Sequence, residues 1–291
     1  FGSIKRCLDA WGGDVSRIAG GAMTTQRSTI LPVGRDGAPL RDAVSWLDRR
    51  RAPVESEPSR AIRGVLRLLG DEALVPRLLS KSVPALWRDR CPEILEQTAK
   101  VAPLEAWLHH ELTGRIALAP GGCAGVFPYD AKKRTWKAPG LEHKLLGFKD
   151  EWLPDVVEAG RELGRITASV AAETGLPEGL PMYACGGDKQ AEALGAGVRA
   201  GDRGVGAVSL GTASSIVIPW RKPVASRSYL WLTMASCEPA SWSLEYMVYR
   251  GMWTVRWFAR NFGQDLVPRA EAEGRPVEAL LCDEAAATEP G

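Results

Sequence analysis

The chain holds 291 residues, 45% of them hydrophobic and 25% charged, enough for two soluble globular domains or one large one. Its 37 Lys and Arg against 35 Asp and Glu leave a formal net charge of +2, which argues against nucleic-acid binding driven by bulk charge. No stretch approaches ~18 uninterrupted apolar residues and the opening residues lack a signal-peptide pattern, so the chain reads as cytoplasmic, without a membrane partner.

Ile4 to Trp11 reads as the tail of a helix already under way, so a chain cut from something longer is expected. Arg17 to Met23 and Ser28 to Val33 are short apolar runs joined by Thr24-Thr25-Gln26-Arg27. The second ends at the turn Gly34-Arg35-Asp36-Gly37, and Ala43 to Trp46 resumes as a strand. Residues 56 to 113 look mostly helical, with Pro84, Pro92 and Pro103 as boundaries. Leu104, Trp107, Leu108 and Leu112 fall at helical spacing, and His109 and His110 on that helix read as half-exposed histidines without a metal. Gly121 to Ala138 is loop-like, with a solvated charge run at Lys132-Lys133-Arg134.

Gly164 to Gly175 reads as a helix. A buried strand ending at Cys185 and the pair Gly186-Gly187 follow, and Asp188 stands where a helix N-cap would be, before the helix formers Lys189 to Leu194. A carboxylate at a strand-to-helix corner beside two glycines leaves room for a ligand to approach the backbone. Gly204 to Trp220 reads as two β-runs broken by the tight turn Gly211-Thr212-Ala213, whose N–H groups and hydroxyl suit a phosphate. Tyr229 to Ala235 and Trp242 to Tyr249 look like strands. Met252 to Phe262 reads as a helix with Met252, Val255, Phe258 and Ala259 on one face. Trp231, Trp242, Trp253 and Trp257 read as core and interface aromatics, since interleaved positive charge is too sparse for a base-stacking platform. Pro276 to Ala287 reads as a last helix. The six cysteines are scattered, without a Cys-x-x-Cys pair, and with three histidines they suggest reduced thiols, not a disulfide frame or a metal site.

Two blocks carry a family resemblance. Gly-Gly-Asp-Lys-Gln-Ala-Glu-Ala-Leu-Gly-Ala-Gly-Val from Gly186, with Ser-Leu-Gly-Thr-Ala-Ser-Ser from Ser209, resembles the centre of an FGGY-family carbohydrate kinase, the family of glycerol kinase and xylulokinase. The stretch from Thr24 to Arg50 is similar to the acceptor-binding block of the same kinases. The resemblance implies an α/β fold of two ribonuclease-H-like lobes of the actin and hexokinase type around a cleft, both incomplete here. It implies an N-terminal lobe over 1–200 and the start of a C-terminal lobe over 201–291.

It also implies ATP- and Mg²⁺-dependent phosphorylation of a sugar or polyol hydroxyl. Such transfer needs a base for the hydroxyl proton, a grip on the phosphates and a pocket that aligns the acceptor. Asp188 takes the position of the family's base. Gly211 and Thr212 take that of the hairpin meeting the β- and γ-phosphates. Arg27 would hydrogen-bond the acceptor's hydroxyls, and Trp46 stands in the place of an aromatic wall. Ser28 stands where glycerol kinases carry an acidic polyol ligand, a departure that argues against glycerol. Lys189, beside the base, replaces a more usual amide or small residue and could reach the acceptor or the transferred phosphate. Ala119 to Gly125 departs from the family's pocket-closing segment, so no sugar contact carries over there. The family's first phosphate hairpin and its adenine-binding segment are absent, so the 291 residues alone are expected to be inactive. The competing readings are a non-catalytic carbohydrate-binding relative, an inactive fragment, and an actin-like ATPase, the last disfavoured by Gln26-Arg27. A homodimer is compatible with all of these.

Overall fold

Helix α1 (Gly2–Trp11) stops where Gly12 turns left-handed at φ 60° and its N–H caps the Leu8 carbonyl. The computed structural model describes residues 1–53, 79–124, 127–202, 204–211, 213–224, 231–248 and 251–289. After a 3-10 turn at Val15–Arg17 comes strand β1 (Gly21–Ala22), far shorter than the apolar run around it suggests. β2 (Ile30–Val33) is buried along its whole length. Of the strand expected at Ala43 to Trp46, one bridge forms, Val44 to Ile30.

α2 (Val83–Arg90) has Pro84 in its first turn and is capped by the Ser82 hydroxyl, and Pro92 leads into α3 (Glu93–Gln97). The helical reading of 56 to 113 needs correction, because β3 (Lys100–Pro103) interrupts it. The part before residue 79 lies outside the described residues. β3 pairs antiparallel with β2, and α4 (Leu104–Thr113) starts directly from Pro103. The buried side of α4 carries Glu105, Ala106, His109 and Leu112, a face turned from the one its apolar residues suggest. His109 is fully buried, not half-exposed, and its Nδ1 lies 3.1 Å from the Ala117 carbonyl.

β4 (Ala117–Leu118) leads through a 3-10 turn at Pro120–Gly122 to the hairpin β5 (Tyr129–Asp130) and β6 (Thr135–Trp136). Arg134 is not simply solvated there. It pairs with Glu158 at 3.0 Å and lies 4.9 Å over the Trp242 ring. α5 (Leu141–Leu146) and β7 (Asp155–Val156) follow, the latter parallel to β4. The helix expected from Gly164 begins later. Glu162 to Arg165 form β8 (Glu162–Arg165), and α6 (Ala168–Thr174) starts after its Thr167 cap. β9 (Pro181–Tyr183) lies between β8, antiparallel, and β1, parallel, and α7 (Asp188–Gly195) follows.

The second half of the fold is an antiparallel sheet. β10 (Ala207–Leu210), β11 (Ser214–Trp220), β12 (Leu232–Ala235) and β13 (Trp242–Val248) stand in the order β10-β11-β13-β12. α8 (Trp253–Phe262), α9 (Val267–Glu273) and α10 (Val277–Ala286) close the chain. Trp253 and Trp257 are not core residues, since both stay exposed and Ala259 is the buried residue of α8. The main core forms on the two sides of the β2–β3 ribbon. Ile30 and Val101 join Leu86, Trp87 and Phe148 on one side, while Leu31, Val33 and Ala102 join Ala106 and Leu118 on the other.

Candidate active site

The segment after β1 is stitched to the turn between β9 and α7. The Thr24 hydroxyl donates to the Gly186 carbonyl at 2.8 Å, and the Asp188 N–H donates to the Thr25 carbonyl at 3.2 Å. Glycine is required in that turn. Gly186 sits at φ 139°, and a Cβ on Gly187 would come within 2.3 Å of Arg27 Cδ. A Cβ on Gly121 would stand 3.2 Å from Gly186 Cα, so Gly121 packs against the turn. Gly187 holds the N-cap position and Asp188 is the first residue of α7, one place further in than the sequence pattern suggests. Its Oδ1 accepts from the Lys189 N–H at 2.9 Å, and the side chain remains one-third exposed.

Arg27 organises the site. Its side chain is 11% exposed, and it forms a fork pair with Glu245 on β13, Nη1 to Oε2 at 2.7 Å and Nη2 to Oε1. Its Nε lies 3.5 Å from Asp188 Oδ1. Burial works against the guanidinium charge, but Glu245 and Asp188 more than offset it and hold Arg27 above its ordinary range. Gln190 of α7 completes the brace once its amide is turned so that oxygen faces donors: the oxygen then accepts from Arg27 Nη1 at 3.2 Å and the nitrogen donates to the Gly187 carbonyl at 3.3 Å. A planar guanidinium bound end-on by one carboxylate keeps its Nε and outer Nη2 hydrogens on a common edge. That edge faces Asp188.

Around this trio the other predicted residues take separate places. Ser28 has φ 62°, a left-handed conformation unusual for a residue with a side chain. Trp46 is half-buried, lies outside the hydrophobic clusters of the described residues, and its backbone N–H donates to Thr29 Oγ1 at 3.4 Å. The same hydroxyl accepts from Gln26 Nε2 at 3.1 Å. The Lys189 ammonium is bound to Glu192 at 2.8 and 3.0 Å and to Ser209 of β10 at 2.9 Å, and it lines a cavity of about 430 Å³ with Ala196, Val198 and Val208. Gly211 follows β10, and its carbonyl accepts from the Met252 N–H at 2.9 Å. Thr212 lies outside the described residues. Thus Arg27 and Asp188 meet directly, Lys189 is tied to the strand leading into the hairpin, and no recorded contact joins Ser28 or Trp46 to Asp188.

Glu245 and Gln190 are the functional candidates that the motifs do not reveal. Glu245 leaves one signal in the sequence, a carboxylate on the inward register of an alternating strand where an apolar residue is expected. Among the described residues no group of three His, Cys, Asp or Glu could hold a metal ion, and no helix is long and apolar enough to cross a membrane.

Comparison with known proteins adds a family. The model of the N-terminal domain of the FGGY family of carbohydrate kinases matches residues 3–195. The chain is 31% identical over 193 residues to an uncharacterised sugar kinase, YgcE, of Escherichia coli (strain K12), covering 66% of this chain and 39% of the relative. It is 28% identical over 285 residues to an autoinducer-2 kinase of Yersinia enterocolitica, covering 97% of this chain and 53% of the relative. It therefore spans about half the length, or less, of these relatives. The crystal structure of xylulose kinase from Rhodospirillum rubrum superposes with a TM-score of 0.71 at 20% identity, covering 99% of this chain and 57% of that one. The fold is that of these actin- and hexokinase-like α/β kinases.

Proposed function

Since the chain belongs to the FGGY family of carbohydrate kinases, we propose that it serves ATP-dependent phosphorylation of a sugar or polyol hydroxyl, with Asp188 as general base. One observation carries this reading: a partly exposed carboxylate faces the free edge of an arginine that Glu245 braces from behind. An acceptor hydroxyl seated there accepts a hydrogen bond from Arg27 and donates its own to Asp188. Asp188 then takes the hydroxyl proton as the oxygen attacks the γ-phosphoryl group. Arg27 is held by two other residues before the substrate arrives, so little ordering remains to be done on binding.

Trp46 walls the pocket against the apolar C–H face of the acceptor, and Ser28 is the position that disfavours glycerol. Gly211 and Thr212 hold the nucleotide's phosphates, with Lys189 fixing the β10 strand that leads to them. The family's divalent metal, Mg²⁺, would supply charge neutralisation for the phosphoryl transfer. The reading divides the chain into an N-terminal lobe, 1–200, and the start of a C-terminal lobe, 201–291, meeting at Arg27 and Glu245. It places the protein in the cytoplasm, where ATP is drawn upon, and leaves these 291 residues inactive alone.

The test is an ADP-release assay of the intact gene product against a panel of ketoses, aldoses and polyols. One acceptor turning over well above the rest, with glycerol a poor one, is the expected result. No acceptor-dependent ADP release across the panel overturns the proposal.

A further inference from the structure

Cys185 lies in the turn between β9 and α7, and Cys237 follows β12. Fifty-two residues separate them, yet their sulfurs are 3.7 Å apart, with both thiols free. Cys185 is partly exposed and Cys237 is buried. The close contact between the two sulfurs holds Cys185 below the usual thiol range, at about 7, while the same contact and burial push Cys237 up. The accessible sulfur is therefore the more nucleophilic at neutral pH, and the buried one is placed to resolve it.

We propose that Cys185 and Cys237 are a redox modification site, a dithiol that hydrogen peroxide closes to a disulfide between the Asp188 turn and the end of β12. The Cys185 thiolate attacks one peroxide oxygen, the O–O bond breaks, and the departing hydroxide leaves as water, giving a sulfenic acid. The Cys237 sulfur then attacks the Cys185 sulfur and the S–O bond breaks. The oxygen leaves as a second water carrying the Cys237 proton. The two sulfurs lose two electrons in all and the peroxide gains them. Bonding requires the sulfurs to approach by a further ~1.7 Å. The turn is built to permit that movement, because Gly186 and Gly187 carry no side chains and a Cβ on Gly186 would stand 3.0 Å from Cys237 Sγ.

The cross-link would tie the turn carrying Asp188 to the sheet carrying Glu245, the two elements that Arg27 bridges. The sulfur chemistry itself does not depend on the kinase reading, so its test uses no activity. The chain is exposed to hydrogen peroxide at pH 7, blocked with N-ethylmaleimide, digested without reduction and mapped by mass spectrometry. The expected result is one peptide pair joined through Cys185 and Cys237, lighter by about 2 Da than its parts. Alkylatable thiols fall from six to four, since those two of the six are lost, and dithiothreitol restores them. In Cys237→Ser the cross-link disappears and dimedone traps Cys185 as the sulfenic acid. If that variant does not fold, the wild-type map decides alone. Peroxide that leaves Cys185 and Cys237 alkylatable, carries Cys185 to the sulfinic acid with Cys237 still free, or links only Cys7 or Cys282 between chains overturns the proposal.

Discussion

The β2–β3 ribbon and the four-stranded sheet use their faces in opposite ways. The ribbon is apolar on both sides and buried on both, with Ile30 and Val101 serving one cluster and Leu31, Val33 and Ala102 the other. In the sheet the buried register mixes Ser215, Ser243 and Glu245 with Val217 and Pro219, while Val208, Leu210, Ile216, Ile218, Tyr246 and Val248 point outward and stay exposed. A purely structural sheet does the reverse and hides its apolar side. The ribbon buries apolar groups on both faces, whereas the inner face of the sheet also buries polar ones, among them the Glu245 carboxylate that meets Arg27.

If that contrast is right, the costliest single change lies on the polar face. Glu245→Ala leaves the guanidinium of Arg27 buried without its fork partner and is expected to cost about 3–5 kcal/mol. Urea unfolding checks it, and a loss below ~1 kcal/mol would mean that the pair is not buried as described. Leu31→Ala in the ribbon is expected to cost about 2–5 kcal/mol by the same measurement, through a cavity that two packed sides cannot collapse around.

A pH-dependent effect comes from the helix that follows the ribbon. Glu105, buried on α4, is pushed up to about 8, chiefly by burial and against its bond from the Ala119 N–H. Its neutral form is favoured in the fold, so its contribution is whole below the unfolded value near 4.5, declines between there and about 8, and is gone above. Glu105→Gln stays neutral throughout and keeps an oxygen for the Ala119 N–H. Urea midpoints from pH 5 to 8 are expected to lose a slope of up to ~1 kcal/mol per pH unit in that variant. Parallel pH profiles for variant and wild type would contradict the burial of a carboxyl there. The least costly change is on the outer face, where Ile216→Thr is expected to stay within ~0.5 kcal/mol of wild type and to reduce concentration-dependent light scattering.

Much of this was legible in the sequence, for local reasons. The turn chemistry of Gly186-Gly187 placed Asp188 to within one residue, the prolines at 84, 92 and 103 marked real boundaries, and the β10–β11 hairpin appeared where Gly211 predicts it. What escaped is long-range. Glu245 meets Arg27 across 218 residues and Cys237 meets Cys185 across 52, so no spacing rule could pair them. The helix expected from Gly164 formed but starts only at Ala168, because Glu162 to Arg165 found a strand partner in β9, a tertiary contact that overrode local preference. The α4 face failed because Glu105 and His109 are buried through a bond to backbone, which an apolar periodicity does not register.

The central claim is that the polar face, Arg27 and Asp188 together form the acceptor site. Its most direct test is Asp188→Asn in the intact gene product, with steady-state curves for the best acceptor and a thermal melt run side by side. Asn keeps the size of Asp and an oxygen for the Lys189 N–H, so the melting temperature is expected to change little. The account predicts a fall in kcat of at least ~10²-fold with a much smaller change in acceptor KM. A kcat near wild type in a variant that melts normally would contradict it.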